Sequence, residues 1–382
     1  MDEKDILSLI SNGENAAVEF KQSAIKPDQL AKEMVAFSNT QGGTILLGIE
    51  DSGQLVGVVG NLNYEEWSMN VARNNVVPAI ELVCNEYQIQ GKRIIALQIP
   101  KGKDRPYQTL SGKYLVRIGS TNRQATQPEL MRLFQQAGFF HYDLTSVERT
   151  SFKDINLTAV DQYFSRYNID FSQESEGEKV RLLQNTDILN ANGKATVGGL
   201  TIFGINPQRY LPNASISFAH FQGKNIGDTL IDKQIIDGTL PNQIDRAVAI
   251  LKNNIQKPST IKGAKRVDTH QTYEDAVFRE LVTNACVHRN YALTGAAIRI
   301  FLFANRMEFI SPGRLPNTVT IEKLKVGVSF AINPVIVKFM ENLRYIDKIG
   351  RGLPMVYQAA KSLGKQIEFK EVGEEFRVVL EL

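Results

Sequence analysis

Phe278–Arg289 is the stretch that most limits what this chain can become. Phe278, Leu281, Val282 and Ala285 recur at helical spacing and mark one apolar arc. Glu280, Asn284 and His288 step by four residues and stack along an adjacent polar arc. A carboxylate and a carboxamide one turn apart suit a specific task. The amide oxygen of Asn284 holds a divalent cation beside a polyphosphate, and Glu280 orients or deprotonates a water. The plainer alternative is an amphipathic helix with a polar edge. Further on, Ile349-Gly350-Arg351-Gly352-Leu353-Pro354-Met355-Val356 is a glycine-rich turn running into an apolar segment. Closely spaced glycines let backbone N–H groups approach a phosphate, and a helix start behind them favours negative charge.

This pair resembles the N-box and second glycine box of the gyrase, histidine kinase and MutL (GHKL) class of ATPases. Where that class has an Asp-x-Gly-x-Gly box, the nearest match is Ser311-Pro312-Gly313-Arg314-Leu315-Pro316, without an aspartate. Together with His288-Arg289-Asn290-Tyr291, the run is similar to the degenerate GHKL domain of bacterial proteins labelled transcriptional regulators or RecG-like. The resemblance implies ATP with Mg²⁺ as ligands. It assigns nucleotide contact to Glu280, Asn284, His288, Gly313, Gly350 and Gly352, the cation to Asn284, and water activation to Glu280. No Gly-x-x-x-x-Gly-Lys-Ser/Thr loop and no helix-turn-helix is visible.

At 382 residues the chain has room for two or three cores. Residues 1–140 read as an α/β domain: Val18 and Phe20 alternate with Glu19 and Lys21 in a strand, Pro27–Asn39 is a helix, and 44–49 is a buried strand. Residues 145–270 read as a connecting α/β domain, with Val197–Gly204 as an apolar strand and 257–263 as a linker. Residues 271–382 read as helices over an antiparallel sheet, a two-layer α/β sandwich.

Between 101 and 123 the composition turns basic. Lys101, Lys103, Arg105, Lys113, Arg117 and Arg123 face one acid, Asp104, with Tyr107 and Tyr114 interleaved. Lysine and arginine bind phosphates and tyrosine rings stack on unpaired bases, so this segment reads as a nucleic-acid-binding hairpin, or as a merely solvated one. Glu19 and Lys21 project to one strand face, and Glu50-Asp51 ends a neighbouring strand. Carboxylates converging beside a lysine suit metal-assisted phosphodiester hydrolysis, and salt bridging is the plainer alternative.

Four ordered motifs, Glu14–Lys21, Phe37–Gly43, Leu47–Asp51 and Tyr114–Ser120, give residues 1–140 a resemblance to the Schlafen AlbA-like domain. It implies contact with DNA or RNA. It also implies a candidate Mg²⁺ or Mn²⁺ site at Glu14, Glu19 and Asp51, with Lys21 beside it. The expectation is therefore a nucleic-acid-binding protein, regulatory in role, whose C-terminal ATP module controls its N-terminal domain. The rivals are a metal-dependent nuclease and a non-catalytic oligomeric adaptor. A homo-oligomer such as a dimer is expected. The cytoplasm is expected because Cys84 and Cys286 stand far apart in apolar surroundings, the acidic N-terminus is no signal peptide, and no apolar run reaches membrane length.

Overall fold

The computed structural model describes the chain except residues 256–258, 263–264, 269–272, 318, 329 and 348–349. The chain divides into two compact units, Met1–Phe140 and His141–Leu382.

In the first unit, helix α1 (Glu3–Ser11) precedes strand β1 (Val18–Lys21). Helix α2 (Pro27–Asn39), entered through Pro27, crosses to β2 (Gly42–Leu47), which lies parallel to β1. After α3 (Tyr64–Asn74) and the short β3 (Val76–Val77), strands β4 (Val83–Ile89) and β5 (Lys92–Pro100) complete a sheet ordered β1-β2-β5-β4. Strand alternation splits the core. Ile45, Leu47, Ile95 and Leu97 face Leu30, Met34 and Phe37 of α2, while Phe20, Leu46 and Ile94 face Ile6 of α1. Two-residue β6 (Gln108–Thr109) pairs with β3, and β7 (Leu115–Ile118) forms a hairpin with β8 (Thr121–Gln124) ahead of α4 (Gln127–Gln136). The basic segment is thus a loop, a short strand and a hairpin rather than one solvated hairpin.

In the second unit, α5 (Leu157–Ser165), α6 (Glu176–Asn185) and α7 (Val197–Phe203) lead into β9 (Ile216–Phe221) and β10 (Leu230–Ile236). Helix α8 (Leu240–Asn254), the pair β11 (Ser259–Lys262) and β12 (Lys265–Asp268), and α9 (Asp275–Val287) follow. Then come β13 (Ile298–Leu302), β14 (Arg306–Pro312), α10 (Ile321–Lys325), α11 (Pro334–Asn342), α12 (Gly352–Ser362), β15 (Ile367–Val372) and β16 (Glu375–Glu381). One six-stranded sheet, β10-β9-β13-β14-β16-β15, spans the unit. Its β9–β13 join is parallel, with Ile216 opposite Ile298; the other joins are antiparallel. One sheet face, with Phe218, Ile300, Phe309 and Val378, shares a single core with Ile244 of α8, Leu281 of α9 and Val356 of α12.

Two sequence readings change here. The boundary drawn near residue 270 falls inside this unit, because β9 and β10 extend the C-terminal sheet. Val197–Gly204 is a helix rather than a strand. Thr196 caps it, its hydroxyl oxygen accepting from Gly199 N–H at 2.8 Å. All seven residues of α7 are buried, so no polar face reveals the helical period. The linker expected at 257–263 lies partly outside the described residues, as does Ile349 of the glycine turn. Among the described residues no helix is long and apolar enough to cross a membrane.

Candidate functional site

In the first unit, strand parity puts Glu19 and Lys21 on one side of β1, and they form an ion pair. Glu19 is buried, and its second oxygen takes Arg117 Nη2 at 2.7 Å. The Arg117 side chain is 1% exposed. It also donates to the carbonyls of Asn15 (2.7 Å) and Val18 (2.9 Å), and its guanidinium lies 4.5 Å over the Phe37 ring. Glu33 of α2 joins the cluster 3.7 Å from Arg117. Burial pushes the Glu33 carboxyl up, and neighbouring Glu19 adds to the rise. Burial alone would pull the Lys21 ammonium down, but Glu19, Glu33 and Glu14 outweigh it and hold Lys21 above its ordinary value. Glu14 is turned to the backbone, accepting from Phe20 N–H at 2.8 Å.

The expected convergence of Glu14, Glu19 and Asp51 on one metal is not met. Among the described residues no three His, Cys, Asp or Glu side chains could hold an ion together. Asp51 instead lines an open polar hollow of about 580 Å³ beside the ends of β1 and β2, with Lys21, Gln29, Glu50 and Ser52. The acids nearest Lys21 are neutralised by it and by Arg117, as the salt-bridge alternative required.

The basic residues separate in the same way. Arg105 and Arg117 are buried, at 1% and 6% exposure, and present no cation to a ligand. Tyr107 is buried too, its N–H donating to Asn39 Oδ1 at 2.7 Å, and its ring is closed against Gly102. Arg123 is exposed but bidentate on Glu129, whose carboxyl it holds down at about 2. Lys103 and Lys113 are exposed and Lys101 is half-buried. Sequence reasoning missed Glu33 and the clasp role of Asn39, which donates to the carbonyls of Tyr107 (2.8 Å) and Leu115 (2.9 Å). Glu33 was legible only as a polar residue on the edge of an apolar helix arc.

In the second unit, the polar arc of α9 opens into a cavity of about 150 Å³. Glu280, Asn284 and His288 line it, together with Ser311, Gly313, Gly350 and Gly352. The remaining walls are largely apolar, among them Leu315, Val319, Leu324, Phe330, Ile332 and Phe376. Asn284 Nδ2 donates to Glu280 Oε1 at 2.6 Å. A carboxylate only accepts, so the amide nitrogen must face it, and Asn284 Oδ1 is left for a ligand. Burial raises the Glu280 carboxyl, Asn284 lowers it in part, and Asp347 raises it again. Gly352, first residue of α12, lies against Glu280; any Cβ there would stand inside the carboxylate. Gly350 and Gly327 both have left-handed φ, +73° and +89°, and a Cβ on either would strike the other's carbonyl oxygen. Two glycines are therefore needed for these turns to meet backbone to backbone.

His288 is neutral at ordinary pH, lowered to about 4 by burial. The rest of the His-Arg-Asn-Tyr run is structural. Arg289 donates to the carbonyls of Asn213, Leu293 and Ala296, and the Tyr291 hydroxyl donates to the Cys286 carbonyl. Sequence reasoning missed Asp347 and Ser311 as lining residues. Ser311 stood in a quoted motif, while nothing local marked Asp347.

Two family models match parts of the chain. Residues 14–126 match the one described as "Schlafen, AlbA_2". Residues 295–380 match the one described as "Putative ATP-dependent DNA helicase recG C-terminal". The chain thus carries a Schlafen AlbA_2 domain followed by a RecG C-terminal-like, ATPase-type domain. The second match begins after α9, so Glu280 and Asn284 join the site through the cavity they share with Gly313 and Gly352. No curated protein matches the chain. Among solved structures, the DIP2311 protein of Corynebacterium diphtheriae is similar at 19% identity, covering 99% of this chain and 79% of that one, with a TM-score of 0.48. The N-terminal domain of a RecG-related protein from Nitrosomonas europaea is similar at 21% identity, covering 32% of this chain and 92% of that one, with a TM-score of 0.26.

Proposed function

We propose that this chain is a regulatory nucleic-acid-binding protein, contacting DNA or RNA through residues 1–140 under the control of a nucleotide held by residues 141–382. The observation that carries the reading is the Glu280–Asn284 pair at a cavity closed by glycine backbone. The site fits ATP with Mg²⁺ in its donor set: Asn284 Oδ1 is available to the cation, and Gly350 and Gly352 line the cavity with backbone that no side chain shields from a phosphate. Glu280, one turn from Asn284, would orient a water. Within the basic segment of the first unit, Lys103 and Lys113 are the exposed lysines offered to a phosphate backbone, and the matched family models support the same ligand class. Titrating the full chain into labelled single- and double-stranded DNA and RNA, with and without ATP and Mg²⁺, tests the reading. Salt-sensitive binding that ATP changes is expected. Affinity indifferent to ATP would remove the control, and no affinity for any of the four would remove the function.

A second reading, metal-dependent cleavage, draws on the polar hollow that Lys21, Glu50 and Asp51 line. Cutting with Mn²⁺ or Mg²⁺ that stops with EDTA and with Asp51→Asn would establish it. A folded protein inert on all four substrates would end it.

A further inference from the structure

The cavity in the second unit has two chemically different ends. Residues eight apart on an α-helix are separated by about 12 Å of rise, so Glu280 and His288 mark opposite ends of the polar arc. At the Glu280 end stand Asn284, Gly352 and Asp347, whose charge acts on Glu280. The acids lining the cavity, Glu280 and Asp347, both belong to this end. At the His288 end, the close of β14 lies alongside α9. The Ser311 hydroxyl donates to Ala285 O at 2.8 Å, and Asn290 N–H donates to Pro312 O at 2.7 Å. Ser311 has given its proton, and Arg314, which also lines the cavity, engages Gly373 O and Glu374 through its Nε. The His288 side chain lines the cavity here with no hydrogen-bond partner for its ring nitrogens among the described residues.

We propose that His288 reads the base of a purine nucleotide in this cavity, and that the site therefore accepts 6-amino and 6-oxo purines alike. The inference rests on the reading that this unit binds a nucleotide. A space of about 150 Å³ takes one planar ring system between apolar walls. A carboxylate at the base end would accept hydrogen bonds only, and would demand an exocyclic amine. A neutral imidazole offers one donor and one acceptor and can exchange them by changing tautomer. One tautomer accepts from an amino group; the other donates to a carbonyl oxygen or ring nitrogen. Burial keeps the ring neutral at pH 7, so both forms are open to it.

Calorimetric titration of the full chain with ATP, GTP and CTP, each with Mg²⁺, tests this. The dissociation constants for ATP and GTP should agree within tenfold, with CTP weaker because a single ring leaves part of the space unfilled. His288→Leu, checked for folding by its melting curve, should weaken both purines by about tenfold or more. His288→Asp should impose a preference for ATP over GTP. A wild-type preference beyond tenfold for either purine, CTP binding as tightly as ATP, or unchanged purine affinity in folded His288→Leu would overturn the inference while leaving the nucleotide site standing. No heat with any of the three would remove the nucleotide site and the inference together. The wild-type ratio stands as a test even if a variant fails to fold.

Discussion

Replacing Arg117 by alanine should unfold the first unit's binding surface rather than subtract one phosphate contact from it. The guanidinium makes five hydrogen bonds, two to Asn15 O and one each to Val18 O, Asn122 and Glu19. Its loss leaves Glu19 buried with Lys21 as its remaining cation, and takes the side-chain donor from the carbonyls of Asn15 and Val18. Removing one partner of a buried ion pair costs about 3–5 kcal/mol. Against a typical domain stability of about 5–15 kcal/mol, that is a large share. For a unit of this size it corresponds to a drop of roughly 10–20 °C in melting temperature. Thermal and urea unfolding, followed beside nucleic-acid binding across a salt series, would show it. Replacing the pair by apolar or neutral groups, Glu19→Gln with Arg117→Met, should recover part of the loss, because the penalty lies in the orphaned charge. A wild-type melting curve for Arg117→Ala, combined with a salt slope reduced by about one unit, would refute the reasoning and make Arg117 a phosphate ligand.

By contrast, Lys103→Ala with Lys113→Ala should leave stability within about 0.5 kcal/mol of wild type and lower the log–log salt slope by about two units; an unchanged slope would clear both residues of nucleic-acid contact. Gly352→Ala should keep the fold, since alanine suits a helix start better than glycine. It should nevertheless displace Glu280 from Asn284 and weaken nucleotide binding, and calorimetry showing wild-type affinity would contradict this. In the second unit the contributions of Asp143 and His288 to stability should oppose each other between about pH 6 and 4. Asp143, raised to about 6 by burial while its carboxylate accepts from Val335 and Ile336 N–H, contributes stability that is present at low pH and lost as pH rises through 6. His288, lowered to about 4, contributes stability present above about 6.5 and lost as pH falls through 4. Each is worth about 3 kcal/mol. Asp143→Asn should remove its share, so that stability falls more steeply on acidification than in wild type; a pH dependence of chemical unfolding unchanged from wild type would count against the pairing.

What the sequence made legible follows the range over which each signal acts. Period-four spacing predicted that Glu280 and Asn284 would meet, and they do, at 2.6 Å. Period-two spacing predicted that Glu19 and Lys21 would share a strand face, and they pair. Both are properties of one element, fixed by backbone geometry. Arg117 shows where such reading stops. Counted with five other cations it looked like part of a basic surface, because composition records a charge and not its direction. The local hint lay in its neighbours: Leu115, Val116 and Ile118 made its strand apolar. Its acid partner, though, sits 98 residues away on β1, and no window along the chain brings the two together. The β9–β13 pairing, which carries the supposed connecting segment into the C-terminal sheet, is long-range in the same sense.

The same limit separates the carboxylates of the first unit from those of the second. A metal site needs uncompensated acids, and compensation depends on which cations the fold delivers. Glu19 received two, from its own strand and from β7, so its charge is spent on holding β1 in place. Glu280 received no cation among the described residues, only an amide one turn away and the backbone of a glycine. A half-buried carboxylate so weakly compensated is costly to keep ionised. The fold bears that cost where a cavity lies beside it, and this is the physical ground for seeking a ligand at Glu280 and a structural brace at Glu19.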